Sequence, residues 1–441
     1  MRTALTRALR GAGVRFVRIV TCSTANVIRS KAANVECLDD VFEHGVGVTA
    51  ALPALPVMYD AVVQDSGLGP VGEIRLMPDW ETLQLIPYAS GHAQVMGDLI
   101  LDGQPWTLDP RYFLRRMVAD ASRAGFEVQA GYELEFYLLD ANRRPADDTV
   151  FAATLGMDVG HRVIGEIVEA LGAQDILVQQ FYPEAGPGQY ELPLAPADLL
   201  TTADRMVYAR QTLHAVARQA GMKAVLLPKV FDDQAGSGAH CHFSLWRDGR
   251  NVIGDPGKAH GLSAEAMSFV AGILDHLPAL AALTVASRNS YRRLRPQTWS
   301  GAFRAWGTDN REAAVRVPSG SNRTAPSHIE LKTSDASANP YLALGATIAA
   351  GLDGLRRGLT PPAPVQEDPA RLSEAERSAR GVDPLPDSLE AAVGALERDP
   401  VLMEALGPDL AQAYIAVKRF EWQALKDLPL EEEVSLLMER Y

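Results

Sequence analysis

Two glutamates alternate along a short apolar segment. Glu133 and Glu135 lie in the sequence YELEF, which also contains Leu134 and Phe136. Successive side chains of a β-strand point to opposite faces, so this spacing predicts both carboxylates on one face and the apolar residues in a core. Two carboxylates on one face can bind a cation. Most such pairs are simply solvated, so the interpretation depends on further ligands.

A glycine-rich turn precedes a second alternating segment. After Gly236, the sequence GSGAHCHFS puts His240, His242 and Ser244 on one strand face and Cys241 on the other. A single strand histidine is usually structural, whereas two in alternation after such a turn favour contact with metal or phosphate. Cys241 is predicted to lie in the core.

Further glutamates could complete a metal site. Glu184 and Glu191 bracket a Gly-Pro-Gly loop that can turn both carboxylates toward one point, and Glu330 lies between His328 and Lys332 on a predicted strand. Five glutamates and one histidine could hold two divalent cations. Oxygen ligands favour Mg²⁺, the imidazole tolerates Mn²⁺, and zinc is disfavoured because no thiolate takes part.

A local concentration of arginines predicts an anion site in an otherwise acidic chain. The eight arginines of this run are residues 288, 292, 293, 295, 304, 311, 316 and 323. Guanidinium groups bind phosphate and carboxylate bidentately, which suits a nucleoside triphosphate and a carboxylic acid. A solvated basic face is the alternative. Interleaved aromatic residues argue against it because they favour a covered environment: Tyr291, Trp299, Phe303 and Trp306.

Metal ligands beside phosphate and carboxylate clamps indicate one kind of reaction. A carboxylate is too stable to accept an amine, so it is first converted to an acyl phosphate with ATP, and the protein positions the reactants and neutralises charge. The chain has no Walker-type sequence, so a P-loop enzyme is disfavoured.

The elements that must position these residues indicate an α+β fold in two domains. Alternation at 14–20 predicts an early strand in a small sheet-rich domain. Asp109 and Pro110 predict a helix start, and Gly125 its end. Strands are predicted at 131–139 and 239–246, a helix at 197–220, and an exposed connection at 360–386. We place the boundary near residue 105, which gives domains 1–105 and 106–441.

Composition limits the partners and the compartment. The 441 residues include 42 Lys and Arg against 55 Asp and Glu, a net charge of −13 that disfavours nucleic acid and anionic membranes as partners. Three cysteines fit neither a disulfide framework nor a zinc site and indicate a reducing compartment, the cytoplasm. The apolar stretch 269–286 predicts a buried helix rather than a membrane span, and arginines interrupt the first twenty residues, which disfavours a signal peptide.

Over nearly its whole length the chain resembles the type I glutamine synthetase superfamily. The motifs that carry the resemblance lie at 72–79, 132–136, 184–191, 228–229, 236–244, 289–294, 310–311, 316–318, 330 and 338–341. The resemblance implies a small β-grasp-like N-terminal domain followed by an α/β half-barrel catalytic domain. It also implies a double-ring homo-oligomer, a dodecamer, with sites between neighbouring subunits.

The resemblance also implies roles for individual residues. One metal ion would be held by Glu135, Glu184 and Glu191, and the other by Glu133, His240 and Glu330. ATP would contact His242, Ser244, Arg311 and Arg316, with Arg323 compensating for His328, which stands where an arginine is usual. The acid substrate would contact Gly236, Arg293 and Lys332. The residues expected to act in catalysis are Arg293, Arg311 and Trp299.

Departures from the family pattern suggest the substrate. Ammonia-using members carry on a flap a glutamate that deprotonates ammonium, and the matching position here is Trp299. The N-terminal aspartate that helps to bind ammonium has no counterpart in the sequence 44–49. Both changes remove negative charge, as in γ-glutamyl ligases that use polyamines, ethanolamine or alkylamines. We therefore expect an organic amine.

Other substrates and other functions remain open. Lys332 stands where the family has arginine, and Ala235 where it has asparagine, so the acid is glutamate or a close relative. The alternatives are a true glutamine synthetase and an inactive structural or regulatory member. All six candidate metal ligands are present, which favours catalysis over the inactive alternative.

Overall fold

The computed structural model describes residues 2–320 and 325–441. The helices of this part of the chain are α1 (Arg2–Gly11), α2 (Leu38–His44), α3 (Pro110–Arg123), α4 (Thr154–Gly172), α5 (Leu199–Gln219), α6 (Ala264–Thr284), α7 (Ser290–Arg293), α8 (Pro340–Arg357), α9 (Glu374–Arg380), α10 (Leu389–Glu397), α11 (Pro400–Leu406), α12 (Pro408–Leu425) and α13 (Leu430–Leu437). The strands are β1 (Phe16–Cys22), β2 (Ile28–Asn34), β3 (Val46–Thr49), β4 (Glu73–Leu85), β5 (His92–Leu101), β6 (Gln104–Pro105), β7 (Glu127–Leu139), β8 (Tyr182–Pro183), β9 (Gln189–Pro193), β10 (Ala197–Asp198), β11 (Lys223–Val225), β12 (Ala239–Arg247), β13 (Arg250–Asn251), β14 (Phe303–Thr308), β15 (Ala313–Val317) and β16 (Ile329–Leu331).

The first six strands form one sheet in the order β2-β1-β5-β4-β3, with β6 paired to β5. β1 and β5 run parallel, and the other pairs are antiparallel. Val17 and Ile19 alternate into the core of this sheet, which is the pattern that predicted an early strand. Helices α1 and α2 pack beside the sheet through Leu9, Leu38 and Val41.

A second sheet carries the candidate site. Its order is β14-β15-β16-β12-β7-β9-β8, with β10 and β11 paired to β7 and β13 paired to β12. All its pairs are antiparallel except β14 with β15. The residues that alternate with the candidate ligands, such as Leu134, Phe136, Cys241 and Phe243, are almost completely buried in the main core. The predicted face assignment of β7 and β12 is therefore confirmed.

The helices start and pack as their sequences dictate. Asp109 caps α3 by accepting a hydrogen bond from the Arg111 backbone N–H, and Pro110 occupies the first turn. Helices α6 and α8 approach closely because Gly272 and Gly354 lack side chains: a Cβ on Gly272 would lie 2.2 Å from the Ala350 carbonyl oxygen. Helix α6 is long and apolar enough to cross a membrane, but 78% of its most apolar window is buried inside the protein. The prediction of a buried helix is confirmed.

The segment 360–386 differs in part from the exposed connection that we predicted. It contains α9, which begins with a capping box between Ser373 and Glu376. Val365, Val382 and Leu385 are buried, and the backbone N–H of Val365 donates to the Trp306 carbonyl. The segment therefore packs against β14 through a few buried residues, whereas most of its residues are exposed, as predicted.

Candidate active site

Strand register brings the alternating polar residues of several segments together. His240 of β12 lies opposite Glu133 of β7, and His242 lies opposite Glu330 of β16. On the other side of β7, Glu135 lies opposite Glu191 of β9. Opposed residues have Cβ atoms only about 4.5–5.5 Å apart, so this register alone gathers one polar surface across four strands.

Glu133, His240 and Glu330 form a compact group of potential metal ligands. One ligand atom from each residue can be chosen so that all lie within 4.8 Å of one another. His240 Nδ1 is 3.2 Å from Glu133 Oε2 and 3.5 Å from Glu330 Oε1. Burial disfavours the charge on Glu133, but hydrogen bonds from His240 and His242 outweigh it and hold the pKa of this carboxyl well below its usual range. The three side chains therefore form a group that could hold a cation.

A second group contains the remaining three glutamates. Burial and the nearby charge of Glu135 raise the pKa of Glu184 to about 7 and that of Glu191 to about 9. The Tyr182 hydroxyl donates a hydrogen bond to Glu191 Oε1 at 2.5 Å. Carboxylates crowded in this way repel one another and hold protons until a cation offsets their charge. The group thus suits a divalent ion chemically.

Arg293 lies against the same site, and two glycines make room for it. Its guanidinium donates to the carbonyl oxygens of Lys332 and Thr333, and its Nη2 lies 3.3 Å from His240 Nε2. A Cβ on Gly236 would lie 2.6 Å from Arg293 Cγ, and one on Gly238 would lie 2.4 Å from His240 Nε2. The glycine-rich sequence therefore permits close approach of the backbone to the arginine and the imidazole.

Cationic side chains surround Glu330. Arg316 Nη1 lies 2.8 Å from Glu330 Oε2, and Lys332 Nζ lies 3.3 Å from Oε1. Burial opposes ionisation of Glu330, but the charges of Lys332 and the two histidines lower its pKa to about 2. The Arg316 Nε atom is buried and has no partner among the described residues. Arg316 therefore keeps hydrogen-bonding capacity for another anion.

The two other residues of this face that are expected to contact ATP are His242, which lies beside His328, and Ser244, which lies beside Trp246. His242 Nε2 is 3.1 Å from Glu133 Oε1, and its ring centroid lies 5.1 Å from that of His328. Burial and the neighbouring His242 lower the pKa of His328 to about 4, so this ring is neutral at pH 7. Ser244 lies two residues further along β12, where its hydroxyl accepts a hydrogen bond from Trp246 Nε1.

Trp299 departs from the expectation that it is covered. The residue is 58% exposed and has a left-handed backbone with φ +58°, which is rare for a bulky side chain. Its backbone N–H donates to Glu312 Oε1 at 2.8 Å, and the neighbouring Thr298 hydroxyl donates to the Arg293 carbonyl. The loop that carries Trp299 is thus attached next to Arg293. Tyr291, Phe303 and Trp306 are half-buried or buried, as expected.

The arginine run does not form one clamp. Arg288 and Arg292 pair with Glu433 of α13, and Arg304 pairs with Asp383 at 2.5 Å. These pairings join distant segments, so spacing in the sequence overstated the number of free guanidiniums. Arg311 lies in an exposed turn after β14. Burial opposes ionisation of the nearby Asp309, but hydrogen bonds from Ser319 and the charges of Arg316 and Arg311 lower its pKa. Arg323 lies outside the described residues.

Several residues at the site were not found from the sequence. Tyr182 contacts Glu191, and Glu312 holds the Trp299 loop. Gln189 donates to the Gly236 carbonyl and the Ser237 hydroxyl, which fixes the glycine-rich turn. Gln189 could have been predicted from the sequence, because it lies two residues before Glu191 on β9 and therefore shares its face, while Tyr190 points to the other face. Tyr182 and Glu312 carry no comparable signal.

Comparison with known proteins gives the family. The model of the glutamine synthetase catalytic domain matches residues 107–437, and that of the glutamine synthetase N-terminal domain matches residues 4–106. The chain belongs to the glutamine synthetase family. The α+β fold expected for this family, a small N-terminal domain before a larger catalytic domain, is confirmed. As a family member, the protein is an ATP-dependent ligase.

Relatives within the glutamine synthetase family carry different names. The chain is 38% identical over 437 residues to the γ-glutamylpolyamine synthetase GlnA3 of Streptomyces coelicolor, covering 97% of this chain and 93% of that protein. It is 32% identical over 435 residues to the glutamine synthetase of Thermus thermophilus, covering 96% and 95%.

Solved structures of this family align over almost the whole chain. A crystal structure of a novel glutamine synthase homolog has a TM-score of 0.86 and 31% identity, covering 97% of this chain and 99% of that one. A complex of GmaS with ADP has a TM-score of 0.86 and 29% identity, covering 98% of each chain.

Proposed function

We propose that this protein joins the γ-carboxylate of glutamate, or of a close relative, to an organic amine through an acyl phosphate formed with ATP. The observation that carries the amine assignment is Trp299. An exposed indole, attached beside Arg293, occupies the flap position where ammonia-using members have a carboxylate. An indole cannot take a proton from ammonium, but its face attracts an alkylammonium group and its edge contacts hydrocarbon.

The donor set fits two divalent ions, which we propose to be Mg²⁺ or Mn²⁺. Glu133, His240 and Glu330 would hold one. The other would be held by Glu135, Glu184 and Glu191, where burial and the charge of Glu135 raise the pKa of the other two. Five carboxylates and one imidazole suit hard cations rather than zinc. Such ions neutralise phosphate charge during transfer.

The nucleotide and the acid are assigned to the residues on either side of these glutamates. His242, Ser244, Arg311 and Arg316 are proposed to contact the ATP phosphates, together with Arg323. Gly236, Arg293 and Lys332 are proposed to bind the acid. The buried Arg293 donates to two carbonyls and touches His240, so its charge is held close to the metal ligands, where negative charge develops on the transferred phosphoryl group. Arg293, Arg311 and Trp299 are the proposed catalytic residues.

Self-association into a ring, with a dodecamer as the proposed size, agrees with an exposed apolar patch. Val150, Phe151, Leu155 and Val159 are each more than half exposed on α4 and the segment before it. Leu155 and Val159 are four residues apart and therefore lie on one face of the helix. Patches of this kind commonly mark protein interfaces.

We also propose a cellular compartment and a division into two domains. Three free cysteines, two of them buried, agree with a reducing compartment, which we propose to be the cytoplasm. The division into domains 1–105 and 106–441 agrees with two separate sheets, whose strands end at Pro105 and begin at Glu127.

A panel of amines tests the proposed reaction. Purified protein is incubated with ATP, Mg²⁺, glutamate and either ammonium, methylamine, ethanolamine, putrescine or spermidine. Phosphate release and the product mass are measured. We expect at least one organic amine to support faster release than ammonium and to appear in the product. Fastest release with ammonium would make the protein a true glutamine synthetase, and no release with any amine would favour the inactive alternative.

A further inference from the structure

Arg293 is carried by a helix too short to hold its own position. Helix α7 spans only Ser290–Arg293. One helical turn is unfavourable in isolation because it fixes several backbone dihedrals for a single hydrogen bond. The position of Arg293 must therefore be set by contacts outside α7.

Glu433 of α13 supplies the charged part of those contacts. Its Oε2 atom accepts hydrogen bonds from Arg288 Nη1 at 3.0 Å and from Arg292 Nε at 2.8 Å. Its side chain is completely buried, and each arginine side chain is only 16% exposed. Arg288 precedes α7 and Arg292 lies within it, and both converge on one carboxylate oxygen from a helix 141 to 145 residues further along the chain.

The same two arginines also bind the backbone that leads into α13. Arg288 donates to the Lys426 carbonyl at 3.1 Å, and Arg292 donates to the Leu428 carbonyl at 2.9 Å. Asn289, between these two arginines, accepts a hydrogen bond from the Lys229 N–H at 2.7 Å. The segment 288–292 is therefore held between the start of α13 and the loop that precedes the glycine-rich turn.

Stability alone is a weak reason for this arrangement. A buried carboxylate loses hydration that ion pairing scarcely offsets, and apolar residues of similar volume often serve as well. The second oxygen of Glu433 is buried without a partner among the described residues, which adds to the cost. Charged hydrogen bonds are directional, whereas apolar contacts are not. These bonds therefore fix the orientation of two guanidinium groups relative to α13.

Arg293 needs such precision. Its guanidinium must reach two carbonyls and His240 through a gap that admits no side chain on Gly236 or Gly238. A displacement of about 1 Å at a group that positions a reactant can reduce the rate about a hundredfold.

We infer that Glu433 is a positioning residue that acts through Arg292 and Arg288 to hold Arg293 in the active site. This inference rests on the role proposed above for Arg293. Helix α13 would then affect the rate of the reaction through these arginines, without itself contacting the substrates.

The test compares Glu433→Gln with a matched variant. Glu421 is also buried and lies in the preceding helix, and its hydrogen-bond partners, Lys418 at 2.9 Å and the Val57 N–H, are not in α7. Glu433→Gln, Glu433→Asp and Glu421→Gln are assayed for phosphate release with the best amine of the wild type, ammonium included. The assay temperature is well below the unfolding midpoint of every variant. Hydrogen exchange of peptides covering 288–295 is measured on the same full-length proteins.

We expect Glu433→Gln to lower kcat between about tenfold and a hundredfold, with the KM for ATP within about twofold of the wild type. Glu433→Asp should recover part of the loss. Peptides covering 288–295 should exchange faster in Glu433→Gln and not in Glu421→Gln. Unchanged exchange in Glu433→Gln would overturn the inference whatever the activity, and an equal loss of kcat in Glu421→Gln would reduce Glu433 to a structural role. If the wild-type protein preferred ammonium, the proposed organic amine would be refuted. The comparison of the variants would still test the role of Glu433, because they would be assayed with ammonium.

Discussion

Glu133 and Glu330 lie on strands that are not neighbours, yet both carboxylates approach the same atom, Nδ1 of His240, at 3.2 and 3.5 Å. Strand β12 separates the two strands in the sheet, and its imidazole bridges them. Removing either charge would leave Nδ1 of His240 facing a single carboxylate, and we expect it to weaken the affinity for a cation.

Replacing Glu133 with glutamine should reduce phosphate release at least about a hundredfold, because loss of even an outer partner of a metal ligand can cost about 10- to 100-fold in affinity. Release is measured at saturating ATP over a range of Mg²⁺ concentrations. Glu127→Gln, on an exposed position at the start of the same strand, is the control and should match the wild type. Full activity of Glu133→Gln would refute its assignment as a metal ligand.

Trp299 should decide which nitrogen compound is used. Trp299→Ala should lower kcat/KM for the preferred organic amine about tenfold, since a cation–π contact at an exposed site contributes roughly 0.5–1 kcal/mol and hydrocarbon contact is lost as well. Trp299→Glu should raise turnover with ammonium relative to the organic amine. The ratio of the two rates is the measurement, and an unchanged ratio in both variants would contradict the proposed role.

Cation binding should depend on pH in a defined direction. In the absence of a cation, burial and repulsion raise the pKa of Glu184 to about 7 and that of Glu191 to about 9, so both hold protons at pH 6. A cation must displace these protons, and its affinity should therefore rise from pH 6 to pH 9. Calorimetric titration with Mg²⁺ after removal of metal with EDTA measures this trend. Affinity independent of pH would count against these two ligands.

His276 should make stability depend on pH in the opposite sense. Burial disfavours its charge, but hydrogen bonds with Asp399 and Asp353 outweigh this effect and raise its pKa above 6.5. The stabilisation is complete below pH 6.5 and is lost as pH rises through the higher pKa of the folded state. His276→Gln should therefore lower the free energy of unfolding by about 1–3 kcal/mol at pH 6 and by less at pH 9. Urea unfolding at both values checks this, and equal losses would contradict it.

The apolar patch on α4 should be needed for assembly. Leu155→Glu puts a charge into a surface that is proposed to be covered in the ring, so it should shift the protein toward smaller species. Light scattering coupled to size exclusion gives the mass. Val71→Glu, at a residue outside this patch that is 88% exposed, is the control and should leave the mass unchanged. A wild-type ring that persists in Leu155→Glu would place the interface elsewhere.

The strand positions of the site were predictable because polar candidate ligands alternate with apolar residues along each strand. In β7 and β12 each candidate ligand is followed by a residue that must enter the core, and this period of two fixes the polar face. The same reasoning could not give the cross-strand register. The alternation shows which residues of one strand share a face. The distance between His240 and Glu330, however, depends on how two separate strands align.

The arginine run shows where spacing in the sequence misleads. Eight guanidiniums within 36 residues suggested one clamp, but Arg288, Arg292 and Arg304 pair with acids that lie about 80 to 145 residues further along the chain. Glu433 gave no signal of its own, because glutamate in the first turn of a helix is common on surfaces. Trp299 was expected to be covered because indoles favour burial, and its exposure follows from the turn that Glu312 holds.

Five of the six candidate ligands come from four strands that are paired through backbone hydrogen bonds, and each strand shows only alternate residues to the site, while Glu184 lies in the loop before β9. Sliding β12 by a single residue would turn both imidazoles into the core and present Cys241 and Phe243 instead. Tight binding of Mg²⁺ can thus be used as a quality check for refolded material, because only chains with every strand correctly aligned would bind it.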